Sequence, residues 1–333
     1  MEAPPPVQER ATLSERSGVG AVQVAILEAL AVTAGRGFRS NEHVLREAES
    51  RIGLAPWYAY PVLVDLVQPW KMPVTLVDGQ GNFGSRGNDP AASRRYTESR
   101  LTEAGRVVLA AERRDLAPVP VGLINGTTYR DGTQPPFRPL AVIEAIRHVI
   151  RHPRATAQGI ISMIGPPDFI TGCTVTGDLE ALAAGQPTEL RLQAKITISD
   201  DGQTVIVENI PPNITTDDAL ISIAKRAEQT SDLSQPSPLH TATRLDICSV
   251  RDESNSRTPD GRIVCKPATG VPPEQVRDQL TTVYGVYTTI YVALPRSLPA
   301  TIRQWVKANQ AEDLAASLTA LETAIRDQPN PRY

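Results

Sequence analysis

Two adjoining stretches hold the side chains whose types and spacing could do chemistry. The first is Leu76-Val77-Asp78-Gly79-Gln80-Gly81-Asn82-Phe83-Gly84-Ser85, and the second is Asp89-Pro90-Ala91-Ala92-Ser93-Arg94-Arg95-Tyr96-Thr97-Glu98. Gly79-x-Gly81-x-x-Gly84 after an extended segment has the form of a dinucleotide fingerprint, in which glycines let the backbone approach a pyrophosphate. The context opposes that reading, because no helix is expected to open at Gly84 and no βαβ unit flanks the motif. The second stretch sets a phenol beside guanidinium groups. A phenol is a weak nucleophile until positive charge or a base helps remove a proton whose ordinary pKa is about 10. Either half alone also fits a structural glycine turn beside a surface tyrosine.

Other candidates are plainer. Glu144, His148 and His152 fall at i, i+4 and i+8 on one helix face and could form a metal site, but Arg147 and Arg151 crowd them and a solvated face is the simpler reading. His43 and His240 stand alone. Trp57, Tyr58 and Tyr60 could stack on nucleic-acid bases or pack around Pro56 and Pro61. Cys173, Cys248 and Cys265 are odd in number and widely spaced, which points to a reducing compartment. There is no G-x-S-x-G elbow and no Cys and His pairing of a hydrolase.

The elements that must position these residues follow from periodicity. Val22 to Val32 form a strongly apolar helix that Ser17 could cap, and a second helix runs from Ser40 or Asn41 to Gly53. A Pro- and aromatic-rich stretch leads into a short apolar helix ending near Gln68. After the glycine-rich loop at 79–87, Asp89 is a good N-cap and Pro90 a good first residue for another helix. Several small helices with extended connections suit a helix-turn-helix or winged-helix module. Pro, Gly and Thr accumulate over 115–140 and mark a boundary. Beyond it, Leu190, Leu192, Ala194, Ile196 and Ile198 alternate with polar residues as a half-buried strand. Asp200-Asp201-Gly202 turns it into a second strand, Gln203 to Ile210. Helices near 139–152, 216–228 and 273–283 alternate with strands near 243–250 and 285–294, and helical segments follow from Pro299.

Composition bounds the class. The chain has 333 residues, 41% of them hydrophobic, and a net charge of -3. That length suits two ordinary domains, and no apolar run is long enough for a membrane span. The opening MEAPPPVQERATLSERSG is Pro-rich and charged, a disordered tail rather than a signal peptide. The first 115 residues carry as many Asp and Glu as Arg and Lys, so charge alone does not announce a DNA-binding protein.

Taken together, the two chemical stretches resemble the VDGQGNFGS and Ala-Ala-x-x-Arg-Tyr-Thr-Glu segments of the A subunits of type IIA DNA topoisomerases, the DNA gyrase and topoisomerase IV family, at the same spacing. Weaker likenesses extend from Ser17 to Leu30, over Met163 to Phe169, Glu208 to Pro211 and Arg251 to Ser254. The resemblance implies an α+β fold. It comprises a disordered tail (1–16), a CAP-like winged-helix breakage-reunion domain (17–116), a mixed α/β tower domain (117–298) and a C-terminal helical segment (299–333). It implies that Tyr96 attacks a DNA phosphodiester and becomes joined to the 5′ phosphate, while Arg95 steadies the pentavalent phosphate with planar, permanently charged donors. Arg39, Arg46, Arg94, Gln80, Asn82, Ser85 and Arg130 are the DNA-binding residues it suggests. Mg2+ and ATP are expected on a gyrase B-type subunit. The implied partners are double-stranded DNA, that B-type chain, and either a second copy of this chain or a full-length A subunit, in the bacterial cytoplasm at the nucleoid.

The sequence also departs from that pattern. The family's His-Pro-His-Gly-Asp stretch is missing where Ile52-Gly53-Leu54-Ala55 runs into Pro56-Trp57, which removes the active-site histidine. The two residues that anchor quinolone drugs fall on Trp57 and Pro61, so drug insensitivity is expected. Arg130 stands where the family places an apolar DNA-bending wedge, and Val24 and Ala25 replace a basic pair. The coiled-coil gate and C-terminal β-propeller are expected to be absent. These departures support a second reading, a catalytically degenerate regulator or decoy of gyrase that binds DNA or another gyrase chain.

Overall fold

The computed structural model describes residues 20–87, 89–113, 121–129, 132–228, 244–255, 258, 261–308 and 311–328. Arg130 and the expected helix cap Ser17 lie outside them. The architecture is mixed α+β. Helix α1 (Ala21–Thr33) is apolar on most sides and sinks Ile26, Leu27 and Leu30 into the core. Gly20 caps it, with its N–H held by Gln23 Oε1 at 3.0 Å. Strand β1 (Arg39–Ser40) leads into α2 (Asn41–Ile52), which ends where Gly53 takes a left-handed φ of 66° and its N–H reaches Glu49 O. Only a residue without Cβ does this cheaply. Helix α3 (Pro56–Val67) starts on a proline whose missing N–H is no loss in the first turn.

These helices support a three-stranded antiparallel sheet in the order β1, β3 (Glu98–Leu101), β2 (Val77–Gln80). The helix expected from Pro90 is not there. Residues 89–93 are irregular, and a single 3-10 turn (Arg94–Tyr96) precedes β3. Asp89 does not cap a helix: its carboxylate accepts from Ser85 Oγ at 2.6 Å, and its carbonyl accepts from Ser85 N. Tertiary ties override the local cap-and-proline signal, because Ala92 N donates to Asn82 O and Thr97 must stay extended to feed the sheet.

The rest of the chain forms two more sheets. One has five strands in the order β4 (Thr127–Tyr129), β5 (Gly132–Gln134), β12 (Tyr287–Val292), β7 (Thr188–Gln193), β6 (Thr174–Gly177). The other has four, in the order β10 (Ile247–Asp252), β11 (Arg262–Pro267), β9 (Val205–Glu208), β8 (Lys195–Ile198). The expected long strand through Ala194 is therefore split: β7 pairs with β12, whereas β8 turns into the other sheet. The hairpin reading of β8 and β9 holds, with Lys195 opposite Glu208 and Ile198 opposite Val205. Its turn is closed by Ser199 N to Thr204 O and by Asp201, which accepts from Ser199 Oγ and Gln203 N.

One core joins distant parts of the chain. Leu314, Leu318, Leu321 and Ile325, spaced along one face of the last helix, share it with Val108, Leu109 and Ile146. The four-stranded sheet has its own core around Val205, Val207, Ile263 and Cys265, closed by Ala219 and Ile223 of the helix Thr216–Glu228. Burial pushes the Cys265 thiol up to about 12. The approach to β2 is held by two side-chain amides acting as surrogate peptide groups. Asn125 bonds Val74 N and O at 2.8 Å each, and Gln328 bonds Thr75 O at 2.7 Å and Thr75 N at 3.2 Å.

Candidate active site at Tyr96

Tyr96 is the last residue of the 3-10 turn, and its side chain is 68% exposed. The residue after it is fully buried, so the turn presents one side chain outward while anchoring on the next. The Thr97 hydroxyl accepts from Asn41 Nδ2 at 2.9 Å and meets Tyr60 OH at 3.1 Å, and the Thr97 carbonyl accepts from Asn41 N at 3.0 Å. Tyr60 OH also donates to Ala92 O at 2.5 Å. The turn is thus clamped from α2 by Asn41 and from α3 by Tyr60. Periodicity marks Asn41 only as a possible cap and Tyr60 only as an aromatic. Their use as anchors follows from which surfaces meet.

The glycines make this approach possible. A Cβ on Gly81, whose φ is 109°, would stand 2.9 Å from the carbonyl oxygen of Tyr96. One on Gly79 would stand 2.4 Å from Val67 Cγ1 and 2.6 Å from the Phe83 ring. The motif's glycines bring the loop against the tyrosine turn and against α3, and no helix opens at Gly84.

Arg95 is exposed, with its guanidinium carbon 5.0 Å from the centroid of the Tyr96 ring, a cation–π separation. Arg94 is turned the other way. Its Nε donates to Glu42 Oε2 at 2.5 Å, and Glu42 also takes Arg46 at 3.1 Å. The hydrogen bond from Arg94, reinforced by Arg46, holds the Glu42 carboxyl below its usual range. Sequence reasoning misses Glu42; its available signal is an acid four residues before Arg46. Arg39 is exposed on β1 opposite Ser99. Gln80 closes β2 opposite Glu98, and both are exposed. Asn82 is exposed, its side-chain oxygen taken by Gly84 N. Arg39, Gln80, Arg94 and Arg95 are thus carried by the sheet and turn that hold Tyr96, with Arg46 joined to them through Glu42. Ser85 lies further along the loop, bonded to Asp89.

Next to Ser85, Arg86 docks the loop on the four-stranded layer. It is 7% exposed, and its Nη2 donates to Ile210 O at 3.0 Å and to Pro211 O and Ile214 O at 3.4 Å each. Thr216 N returns a bond to Arg86 O at 2.9 Å. Backbone carbonyls around a buried guanidinium supply the polar partners that burial requires.

The histidine face does not assemble a ligand set. His148 and His152 rings lie 4.7 Å apart, but Arg147 takes Glu144 at 3.1 Å and crosses to Glu322 at 2.5 Å, so this face forms an interhelical ion pair. Among the described residues no group of three His, Cys, Asp or Glu converges as a metal site, and no helix is long and apolar enough to cross a membrane.

The compound motif and the mixed α+β fold mark this chain as one of the type II DNA topoisomerase family. The family model for the A subunit of DNA gyrase/topoisomerase IV matches residues 59–119, the segment that holds the tyrosine turn. The DNA gyrase A subunit of Deinococcus deserti is 29% identical, over 88% of this chain and 39% of the relative. That of Chlamydia muridarum is 30% identical over 73% and 31%, and that of Helicobacter pylori strain J99 is 32% identical over 59% and 25%. The chain belongs to the family of DNA gyrase and topoisomerase IV A subunits, and within it the chain is gyrase A-like. It spans well under half the length of these relatives.

Proposed function

We propose that this protein binds duplex DNA through its N-terminal helices and three-stranded sheet, used as a winged helix, and cleaves it through Tyr96. The phenol oxygen attacks phosphorus and forms a 5′-phosphotyrosyl ester. The 3′ oxygen of the neighbouring nucleotide leaves and takes up a proton, and reversal reseals the strand without another energy source. Arg95 would swing from the ring face to the phosphate, where its fixed donors stabilise charge that grows as the bond breaks. A gyrase B-type subunit would supply the divalent ion and ATP hydrolysis, and a second A-type chain would supply the other tyrosine, in the cytoplasm at the nucleoid. The observation that carries this reading is the exposed Tyr96 beside Arg95, on a turn clamped from two helices.

The test is direct. The protein is incubated with supercoiled plasmid, magnesium and a B subunit from the same cell, trapped with detergent and protease, and compared with Tyr96→Phe. Nicked or linear DNA that depends on Tyr96 supports cleavage. The second reading, a non-cleaving regulator or decoy, draws on the engagement of Arg94 and Arg46 with Glu42, which withdraws two cations from phosphate. It predicts retarded but uncut DNA, the same for both proteins.

A further inference from the structure

We infer that Trp57 and Tyr58 form a base-stacking platform that receives an unstacked nucleobase next to the phosphate attacked by Tyr96; this rests on the reading of Tyr96 as directed at DNA. The two rings are 62% and 56% exposed, and they stack on each other with centroids 3.8 Å apart and planes inclined by 28°. Burying such rings in a core is the ordinary use of aromatic side chains. Tyr60 is drawn inward in that way, while Trp57 and Tyr58 remain outside. Along the chain both uses are open to all three residues, and the structure divides them: Tyr60 is an anchor and the other two form an open aromatic surface.

Location selects the occupant. Trp57 lies three residues before Tyr60, and residues at that spacing share a helix face. Tyr60 OH is bonded to Ala92 and Thr97, which bracket the tyrosine turn. The platform therefore sits on the part of α3 fixed against the turn that carries Tyr96. Chemistry selects it as well. The first turn of α3 holds no acidic residue, and its cap, Ala55, is uncharged, so nothing there repels an anion. Exposed Arg95 and Arg39 lie on the same module, and no salt bridge to either occurs among the described residues. An exposed aromatic pair on a module that also carries exposed positive charge suits a nucleotide, whose base has a π-face and whose phosphate is anionic. It does not suit an acid-free apolar peptide equally well. Ring stacking is tolerant of sequence, so the platform should hold the DNA open without selecting a particular base.

The experiment uses a short duplex oligonucleotide with a central one-nucleotide gap, the matching intact duplex, and 2-aminopurine at the gap edge. The full chain should quench the 2-aminopurine, and so should Tyr96→Phe, because the phenol oxygen is not needed for stacking. Trp57→Ala should abolish the quench and weaken binding to the gapped duplex by about tenfold, the size expected for one base–aromatic stack. Tyr58→Ala should have a smaller effect in the same direction, and intact duplex should be bound nearly equally by all variants. Both positions are exposed, and unchanged far-ultraviolet circular dichroism would verify folding. Unaltered quenching and affinity in Trp57→Ala overturns the inference, as does a change only in self-association by sedimentation, which would assign the rings to a second copy of the chain. Trp57-dependent quenching without Tyr96-dependent cleavage supports the platform and removes the cleavage reading. Tyr96-dependent cleavage with gapped-duplex affinity indifferent to Trp57 does the reverse.

Discussion

Replacing Thr97 by valine removes one hydroxyl at nearly constant shape and so isolates the polar clamp behind Tyr96. Asn41 and Thr97 are both fully buried, so water cannot take the place of the missing oxygen. The substitution deletes the acceptor for Asn41 Nδ2 and one of the two contacts of Tyr60 OH. A net hydrogen bond contributes about 0.5–1.5 kcal/mol, and a buried donor left without a partner costs about 1–3 kcal/mol. Tyr60 keeps Ala92 O, so the stranded Asn41 amide dominates, and Thr97→Val should cost about 1.5–3 kcal/mol. Removing the amide as well changes the sign of the argument. Asn41→Leu deletes the stranded donor, together with a buried Oδ1 that finds no hydrogen-bond partner among the described residues. The double variant should then be more stable than the sum of the single effects by about 1 kcal/mol or more, within the range measured for residues in contact. Urea denaturation of the four proteins, with unchanged denaturant slopes as the check on comparability, gives the cycle. A Thr97→Val variant within about 0.5 kcal/mol of the parent, or strict additivity, would refute the clamp.

Three further outcomes follow from the same geometry. Gly81→Ala places a methyl group against the Tyr96 carbonyl at a positive φ; it should destabilise the protein by about 1 kcal/mol or more and abolish any Tyr96-dependent cleavage, and a variant as active as the parent would contradict the packing. Arg86→Met should speed amide hydrogen exchange at Ser85, Gly87 and Thr216 by at least about tenfold, since hydrogen bonds to a charged group are worth about 1.5–3 kcal/mol. Val207 in the sheet core should exchange as before, and uniform exchange across both would show that Arg86 does not couple the loop to the second layer. The Glu42 carboxyl is depressed from 4.5 when folded, so its stabilisation is complete above that ordinary value and is lost as pH falls through the lower folded one. Thermal melts of Glu42→Gln and the parent should therefore differ at neutral pH and converge in acid, and a constant difference across that window would rule out the pairing with Arg94 and Arg46.

Much of this molecule is legible along the chain. The helices at 21–33, 41–52, 139–151 and 216–228 are written in apolar spacing, and the turn between β8 and β9 in Asp200-Asp201-Gly202. The family is legible in the run from Val77 to Glu98, because the residues that carry the resemblance are contiguous. Local signals misled where a distant contact outweighed them. Asp89-Pro90 has the form of a helix start, yet Ser85, Asn82 and Tyr60 hold the segment in another course, and their bonds together outweigh the preference of one cap. The alternation through Ala194 is continuous in sequence, but two sheets share it, since a period of two shows which face is buried and not against which partner.

Tertiary structure alone decided how the site is held. Nothing near Thr75 announces Gln328, nothing near Arg86 announces Ile210, and nothing near Arg94 announces that Glu42 will claim it. Hydrophobic periodicity is a property of a segment and can be read within it. Hydrogen-bond and ion-pair partners depend on which surfaces meet when the segments pack, and that meeting leaves one tyrosine facing solvent while it buries the threonine beside it.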